Sequence, residues 1–540
     1  MRLLIWILCA SIFFLAESCT NSNKQGTAKR PNIVLIMADD MGYSDIGCYG
    51  GEIQTPHLDQ LAKGGLRFTN FYNAARCCPT RASLLTGLYP HQAGVGLMVY
   101  NNYGGSYQGF LNEESVTLAE VLKEAGYKTM MSGKWHVGHR EGQWPTDRGF
   151  DRFYGIHIHV DSYWKVLEGC DVYLDGKLLI PDTTDPVNHL HPEEDWYTTD
   201  VFTDYAVHFL DEEVRDREEE QPFFLYLAYN APHWPLEAPD EDIEKYREQY
   251  LEGWEVLRQE KFDRMKAMGV LEEGAALSPS DAPDWDTLSQ ADRAELDFRR
   301  AMYAAQIDRM DQNIGKLVNH LKEIGEYENT LILFLSDNGC SAEPEWKDFG
   351  YKFEENTMAN YEEWKEESGR SSSQGRAWAN ASNTPFRLYK KWTHEGGSAT
   401  PLIAHWPGQI TEEGGFNRQP GHLIDIMATL VDVAGANYPA TYHGNTVTEM
   451  QGKSLTPFFR DEAREPHKYL FWEHMGNRAV RKGEWKLVAE SGQNWQLYNL
   501  AQDPAELSNL IGEQPELTVE LKDAYSAWAD KVGVKPWPIK

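Results

Sequence analysis

Three runs in this 540-residue chain are apolar from end to end and then stop in polar clusters. Asn32-Ile-Val-Leu-Ile-Met-Ala38 runs into Asp39-Asp40, and Pro222-Phe-Phe-Leu-Tyr-Leu-Ala-Tyr229 into Asn230-Ala-Pro-His233. Thr330-Leu-Ile-Leu-Phe-Leu-Ser336 runs into Asp337-Asn338-Gly339. Runs without alternation suit strands covered on both faces. Helical patterns lie between them. Thr55-Pro56 opens one as N-cap and first helical residue, with Leu58, Leu61 and Ala62 as its stripe and Gly64-Gly65 to stop it. Thr117 to Ala125 is another, and the longest carries Ile307, Met310, Ile314, Leu317, Leu321 and Ile324. Strands alternating with helices predict an α/β fold, a large domain whose mostly parallel mixed sheet is sandwiched by helices. Ligands of such sheets bind beyond the carboxyl ends of the strands, where all three polar clusters fall.

The tail reads differently. Short, partly alternating segments, His467-Lys-Tyr-Leu-Phe-Trp472, Arg478-Ala-Val-Arg481, Glu484-Trp-Lys-Leu-Val-Ala489 and Trp495-Gln-Leu-Tyr-Asn499, predict a small antiparallel sheet. A helix over about Glu516–Ala529 follows, with Pro515 ahead of it. The chain thus divides into a catalytic domain over 30–457 and a C-terminal subdomain over 466–540, with the boundary in Phe458–Pro466. The segment Ser341–Ala381 is acidic, then rich in serine and glycine, and reads as a long surface loop walling a site.

Residues 1–18 read as a signal peptide: Met1-Arg2 is basic, and Leu3–Leu15 is apolar but shorter than the ~20 residues that span a bilayer. Leu15-Ala16-Glu17-Ser18-Cys19 resembles a bacterial lipoprotein signal, with Cys19 as lipid site and Glu17 departing from the usual small residue. An exported protein, periplasmic or held at the outer membrane, is expected. Cys48, Cys77, Cys78, Cys170 and Cys340 then remain, an odd number too sparse for a disulfide framework. With 51 basic against 83 acidic residues the net charge is −32, which argues against nucleic acid as a partner. An anionic substrate needs a local cationic pocket.

Asp39, Asp40, Asp337 and Asn338 offer only oxygen donors at strand ends that a parallel sheet brings together. Such a set suits Ca²⁺ or Mg²⁺ rather than a thiolate-seeking metal. Cys77-Cys78-Pro79-Thr80-Arg81, followed by Thr86-Gly87, matches the signature Cys-x-Pro-x-Arg of the type I sulfatases. Gly133-Lys134-Trp135-His136-Val137-Gly138 and Ala231-Pro232-His233 match further blocks of that family, as does Lys390, five residues before Glu395-Gly-Gly. From Arg30 to about Trp537 the chain resembles this family, and within it the bacterial arylsulfatase branch, which includes enzymes of sulfated sugars.

The resemblance implies an alkaline phosphatase/sulfatase-like fold and hydrolysis of sulfate monoesters. It also implies Cys77 oxidised to formylglycine by a separate maturation enzyme, and Ca²⁺ held by Asp39, Asp40, Asp337, Asn338 and residue 77. In the mechanism it implies, Arg81, Lys134 and Lys390 hold the sulfate oxygens, His136 is the base that expels sulfate, and His233, assisted by Lys390, protonates the leaving alcohol. His157, Asp161, Tyr163 and Trp164 fall where the family builds substrate pockets and are the candidate sugar contacts. His157 and His159 lack a third ligand of matching type, which argues against zinc there. Two rival readings are a phosphate or phosphonate ester hydrolase of the same fold and, if Cys77 stays a thiol, a binder of sulfated glycans without turnover.

Overall fold

The computed structural model describes residues 29–166, 171–179, 196–215, 217, 221–343 and 372–539. The signal segment, Cys19, Cys170 and most of the expected loop after Ser341 lie outside them. Eleven strands form one sheet: β1 (Asn32–Ala38), β2 (Gly65–Tyr72), β3 (Lys128–Lys134), β4 (Arg152–Ile156), β5 (Val172–Leu174), β6 (Lys177–Leu178), β7 (Phe223–Ala228), β8 (Thr330–Ser336), β9 (Ala399–His405), β10 (Gly415–Asn417) and β11 (Gly421–His422). Their order is β10-β2-β9-β8-β1-β7-β3-β4-β5-β6, with β11 also on β2. The centre, β8-β1-β7-β3-β4, is wholly parallel, and β9 runs antiparallel between β8 and β2. The three apolar runs are the three adjacent central strands.

Period-2 geometry explains their composition. Val34, Ile36 and Ala38 enter the core on one face of the sheet, and Ile33, Leu35 and Met37 the core on the other. The first face carries the helices Thr198–Leu210 and Gln290–Glu323; the second carries Cys77–Thr86, Leu118–Glu124 and Ile424–Ala434. The helix expected at Thr55 spans Pro56–Lys63. Asp311 of the long helix caps it from outside, accepting the amides of His57 (3.0 Å) and Leu58 (2.8 Å). The helix expected from Thr117 spans Leu118–Glu124, with Thr117 and Glu120 forming a reciprocal capping box.

A ribbon of β12 (Thr441–Tyr442) and β13 (Asn445–Thr446) precedes the tail. There β14 (Leu470–His474), β15 (Asn477–Lys482), β16 (Trp485–Ala489) and β17 (Gln496–Asn499) form the separate antiparallel sheet, followed by the helix Pro515–Val532. The sheet shares a hydrophobic core with one face of the large sheet. One expectation is corrected: Gly375–Ser382, read as the end of a loop, is a helix. Its Trp378 is buried edge-on against Trp254, Trp285 and Tyr250, packing that a serine- and glycine-rich composition does not reveal.

Candidate active site

The carboxyl ends of β1 and β8 are adjacent, so Asp39-Asp40 and Asp337-Asn338 meet there. All four are buried. The amide of Asp40 donates to Asp337 Oδ1 (3.0 Å) and Asn338 Nδ2 donates to Asp40 Oδ1 (2.6 Å). Asp39 Oδ1, Asp337 Oδ2 and Asn338 Oδ1 are buried without a hydrogen-bond partner. Burial and the adjacent Asp39 push Asp337 well above the usual carboxylate range. Crowded carboxylates with inward, unbonded oxygens are what a hard divalent cation satisfies, and these residues fit one.

Cations ring this cluster. Lys134 Nζ, at the end of β3, lies 2.5 Å from Asp39 Oδ2. Arg81 Nη2 is 3.5 Å from Asp39 and 3.6 Å from Asp337, while its Nη1 donates to the Lys134 carbonyl (2.7 Å). Lys390 Nζ is 2.6 Å from Asp40 Oδ1. Burial alone would raise Asp39, but Lys134, His233 and Arg81 outweigh it and hold its carboxyl far below the usual range. The same logic works in reverse at Lys390, whose burial is overcome by Asp40 and Cys77, so it stays protonated.

Cys77 opens the helix Cys77–Thr86 and is 1% exposed. Its sulfur lies within 4.8 Å of a ring nitrogen of His136. A hydrogen bond from Cys78 lowers its thiol well below the ordinary value; burial opposes this, and His136 and Lys390 reinforce it. Cys78, wholly buried, is pushed up. Burial holds His136 at about 3 and His233 at about 4, so both are neutral at pH 7. His233 Nδ1 is bonded to the Trp234 carbonyl (2.6 Å), which turns Nε2 toward Asp40 Oδ2, 3.5 Å away. Asp40, Ala75, His136 and Lys391 all have left-handed backbone (φ 66°, 62°, 61° and 89°). Such uncommon conformations gather where a fold must aim side chains.

Of the two adjacent lysines only Lys390 meets Asp40; Lys391 turns away to sit over Trp392 and donates its amide to the Ala75 carbonyl. The predicted sugar contacts fare differently. Tyr163 is fully buried, and its hydroxyl donates to the carbonyls of Asn230 (2.9 Å) and His233 (2.8 Å). It braces the His233 turn from behind. His157 is buried in a stack with Trp144, Phe153 and Tyr173, and Trp164 packs on Tyr197. The rings of Tyr163 and His157 are thus turned inward, away from a sugar, while Trp164 is half-buried. Asp161 stays at the surface, 3.0 Å from His159.

Sequence reasoning missed what lies around Asp40 and Cys77. Asp45 accepts from Lys261 (2.8 Å), Arg300 (3.0 Å) and the Tyr303 hydroxyl (2.8 Å), and that hydroxyl also reaches the Asp40 carbonyl (3.2 Å). This buried network fixes the turn that presents Asp40. Arg76, directly before Cys77, pairs with Glu343 at 2.9 Å. Asp45 after β1, Lys261 in the helix Trp254–Ala267 and Arg300 in the long helix carry no local signal, since they meet only in the fold.

Residues 31–436 match the sulfatase family, and residues 386–528 match the family described as N-sulphoglucosamine sulphohydrolase, C-terminal. The chain is 33% identical to an arylsulfatase of Klebsiella aerogenes over 82% of its length and 93% of that protein's. It is 30% identical to arylsulfatase A of Homo sapiens, over 92% of this chain and 86% of that one. Among solved structures, Ps i-CgsB in complex with k-i-k-neocarrahexaose superposes with a TM-score of 0.65 at 27% identity, covering 93% of each chain. A phosphonate monoester hydrolase of Agrobacterium radiobacter shares the fold at 19% identity and a TM-score of 0.57. With the signature cysteine, its flanking cations and the oxygen cluster in one buried site, the chain belongs to the sulfatase family.

Proposed function

We propose that this sulfatase, a hydrolase of sulfuric esters, releases sulfate from a sulfated carbohydrate by way of a formylglycine at residue 77 and a bound Ca²⁺. The single observation that carries the reading is that Cys77, Arg81, Lys134, His136, His233 and Lys390 converge on one oxygen-lined site. The cation would be held by Asp39, Asp40, Asp337 and Asn338, and supplies charge that lowers the pKa of an adjacent hydroxyl. Formylglycine supplies a geminal diol, with one hydroxyl to attack sulfur and a second whose deprotonation expels sulfate.

The side chains of this protein do the rest. Arg81, Lys134 and Lys390 are fixed by buried carboxylates and so meet the charge on the sulfate oxygens without reorganising. His136, neutral and beside residue 77, accepts a proton there. Lys390, which stays protonated, delivers one to the departing alcohol oxygen, beside His233, whose Nδ1–H is held by the Trp234 carbonyl and whose Nε2 is left to accept a hydrogen bond. The balance is ester plus water giving alcohol, sulfate and a proton. Tyr-, Trp- and Phe-rich composition supports a sugar substrate, since aromatic faces stack on pyranose rings. So do an N-acetylglucosamine-6-O-sulfatase of Bacteroides thetaiotaomicron, 26% identical over 95% of this chain, and the carbohydrate bound by Ps i-CgsB. Export as a bacterial lipoprotein, read from Leu3–Leu15 and Cys19, and dependence on a maturation enzyme belong to the same reading.

The test is sulfate release from aryl sulfates and a panel of sulfated sugars, beside aryl phosphates, using protein whose residue 77 has been checked by mass spectrometry. Conversion of the thiol removes about 18 mass units. Cys77→Ala is expected to abolish release while leaving the melting temperature within a few degrees. A large preference for phosphate esters, or full activity in that variant, contradicts the proposal.

A further inference from the structure

Among the described residues, only His136 and His474 have both ring nitrogens buried and without a hydrogen-bond partner. His136 is the base of the proposed reaction. His474 comes from the other end of the chain, the last residue of β14, and is 0% exposed. An imidazole in this state leaves a donor and an acceptor unsatisfied, a desolvation cost that a bound partner would remove.

The geometry says where that imidazole faces. Side chains two apart on a strand share a face, and Trp472 Nε1 donates to the Asn73 carbonyl at 2.8 Å. Glu473, on the opposite face, holds His91 at 2.8 Å. His474 therefore points with Trp472 toward the segment that runs from Asn73 to Cys77. The tight turn after it, Met475-Gly476 with φ of 53° and 80°, closes the hairpin. The far side of that turn is tied to the active-site loop by Asn477 Nδ2, which reaches the carbonyls of His474 (3.1 Å) and Lys391 (3.4 Å). Lys391 is in turn bonded to Ala75. After burial, the groups that act most on His474 are Arg76, Glu473 and Cys77, consistent with that placement. Arg76 repeats the pattern: one guanidinium arm is engaged by Glu343, while its Nε is buried and unbonded.

We propose that His474 and Arg76 form a recognition pair on the C-terminal side of the pocket, hydrogen-bonding an oxygen of the sugar ring that flanks the sulfate ester. A hydroxyl or carboxylate oxygen beside the ester matches what the pair lacks: an acceptor for Arg76 Nε–H, and for a neutral imidazole a partner that can accept or donate. The proposal rests on the carbohydrate reading above. It makes the C-terminal sheet part of the substrate site and the pair a determinant of which sulfated position is cleaved.

The experiment compares 4-nitrophenyl sulfate, which has no flanking hydroxyl, with a panel of monosulfated pyranoses and their deoxy analogues at the position beside the ester. His474→Ala is expected to lower kcat/KM on the best pyranose by about tenfold or more, mainly through KM. The same variant should stay within about threefold of wild type on the aryl ester. The deoxy analogue should cost the wild type a similar factor and the variant little more, the signature of one shared contact. If the alanine variant melts early, His474→Gln, which keeps the size and both hydrogen-bonding functions, carries the comparison and should fall between the two. Equal losses on both substrates, no loss on either, or additive effects of variant and deoxy sugar overturn the pair. Wild-type enzyme that cleaves the aryl ester but none of the pyranoses overturns the carbohydrate reading and the pair with it. Wild-type activity on the pyranoses, untouched by the variant, overturns the pair alone.

Discussion

Burial sets the working charge of His136 and His233. Their pKa values of about 3 and about 4 mean that neither His136 nor His233 takes a proton until the solution is far more acidic than the ordinary imidazole value of ~6.5. A base is lost when it is protonated, so activity carried by neutral His136 should hold as pH falls from 8 to 5 and decline only below that. A pH profile of kcat/KM on an aryl sulfate checks this; an acid limb centred near 6.5 contradicts the assignment. Single residues were legible in the sequence where the family resemblance supplied a motif, as in Cys77-x-Pro-x-Arg81 and Gly133-Lys134-Trp135-His136, whose side chains the fold brings together. They were misread where only proximity guided the choice. Tyr163 and His157 do lie by the site, yet one braces its floor and the other fills the layer beneath, and nothing local tells a ring that stacks on sugar from one that stacks on its neighbours.

The elements meet by backbone contact at one point that decides the site's shape. Gly339, just past β8, donates its amide to the Gly397 carbonyl (3.1 Å), and a Cβ added at Gly339 would lie 1.8 Å from the Gly396 carbonyl oxygen. The turn after Asp337-Asn338 and the Glu395-Gly-Gly motif therefore touch main chain to main chain, which holds Lys390 against Asp40. Gly339→Ala must push these turns apart. It should cut kcat at least about tenfold and lower the melting temperature, by calorimetry, several degrees more than Gly274→Ala, a site where an added Cβ meets nothing. Unchanged kcat would mean the contact is not what positions Lys390. The strands themselves were legible, because burial on both faces forces a continuous apolar run. The helix Gly375–Ser382 was not, because its stability comes from one tryptophan inserted among three distant aromatic rings.

At the scale of the whole molecule, the C-terminal sheet is joined to the catalytic domain by buried charge. Lys486 on β16 lies 2.6 Å from Glu395 and 3.2 Å from Glu506, while Glu395 also accepts the Tyr72 hydroxyl at 2.7 Å. Removing one partner leaves two buried carboxylates facing each other, so Lys486→Ala should destabilise the protein by about 3–5 kcal/mol, measured as a drop in denaturation midpoint. A loss under about 1 kcal/mol would show that water reaches the cluster. The sequence separated the two sheets by their periodicity but could not show that they share one core, since the contacts pair residues hundreds of positions apart. The burial of Cys77 has a temporal consequence. Once the chain has folded, no foreign catalyst can close around that side chain, so any enzyme that rewrites it has to arrive before folding is complete, and a molecule that folds untouched keeps its sulfur for life.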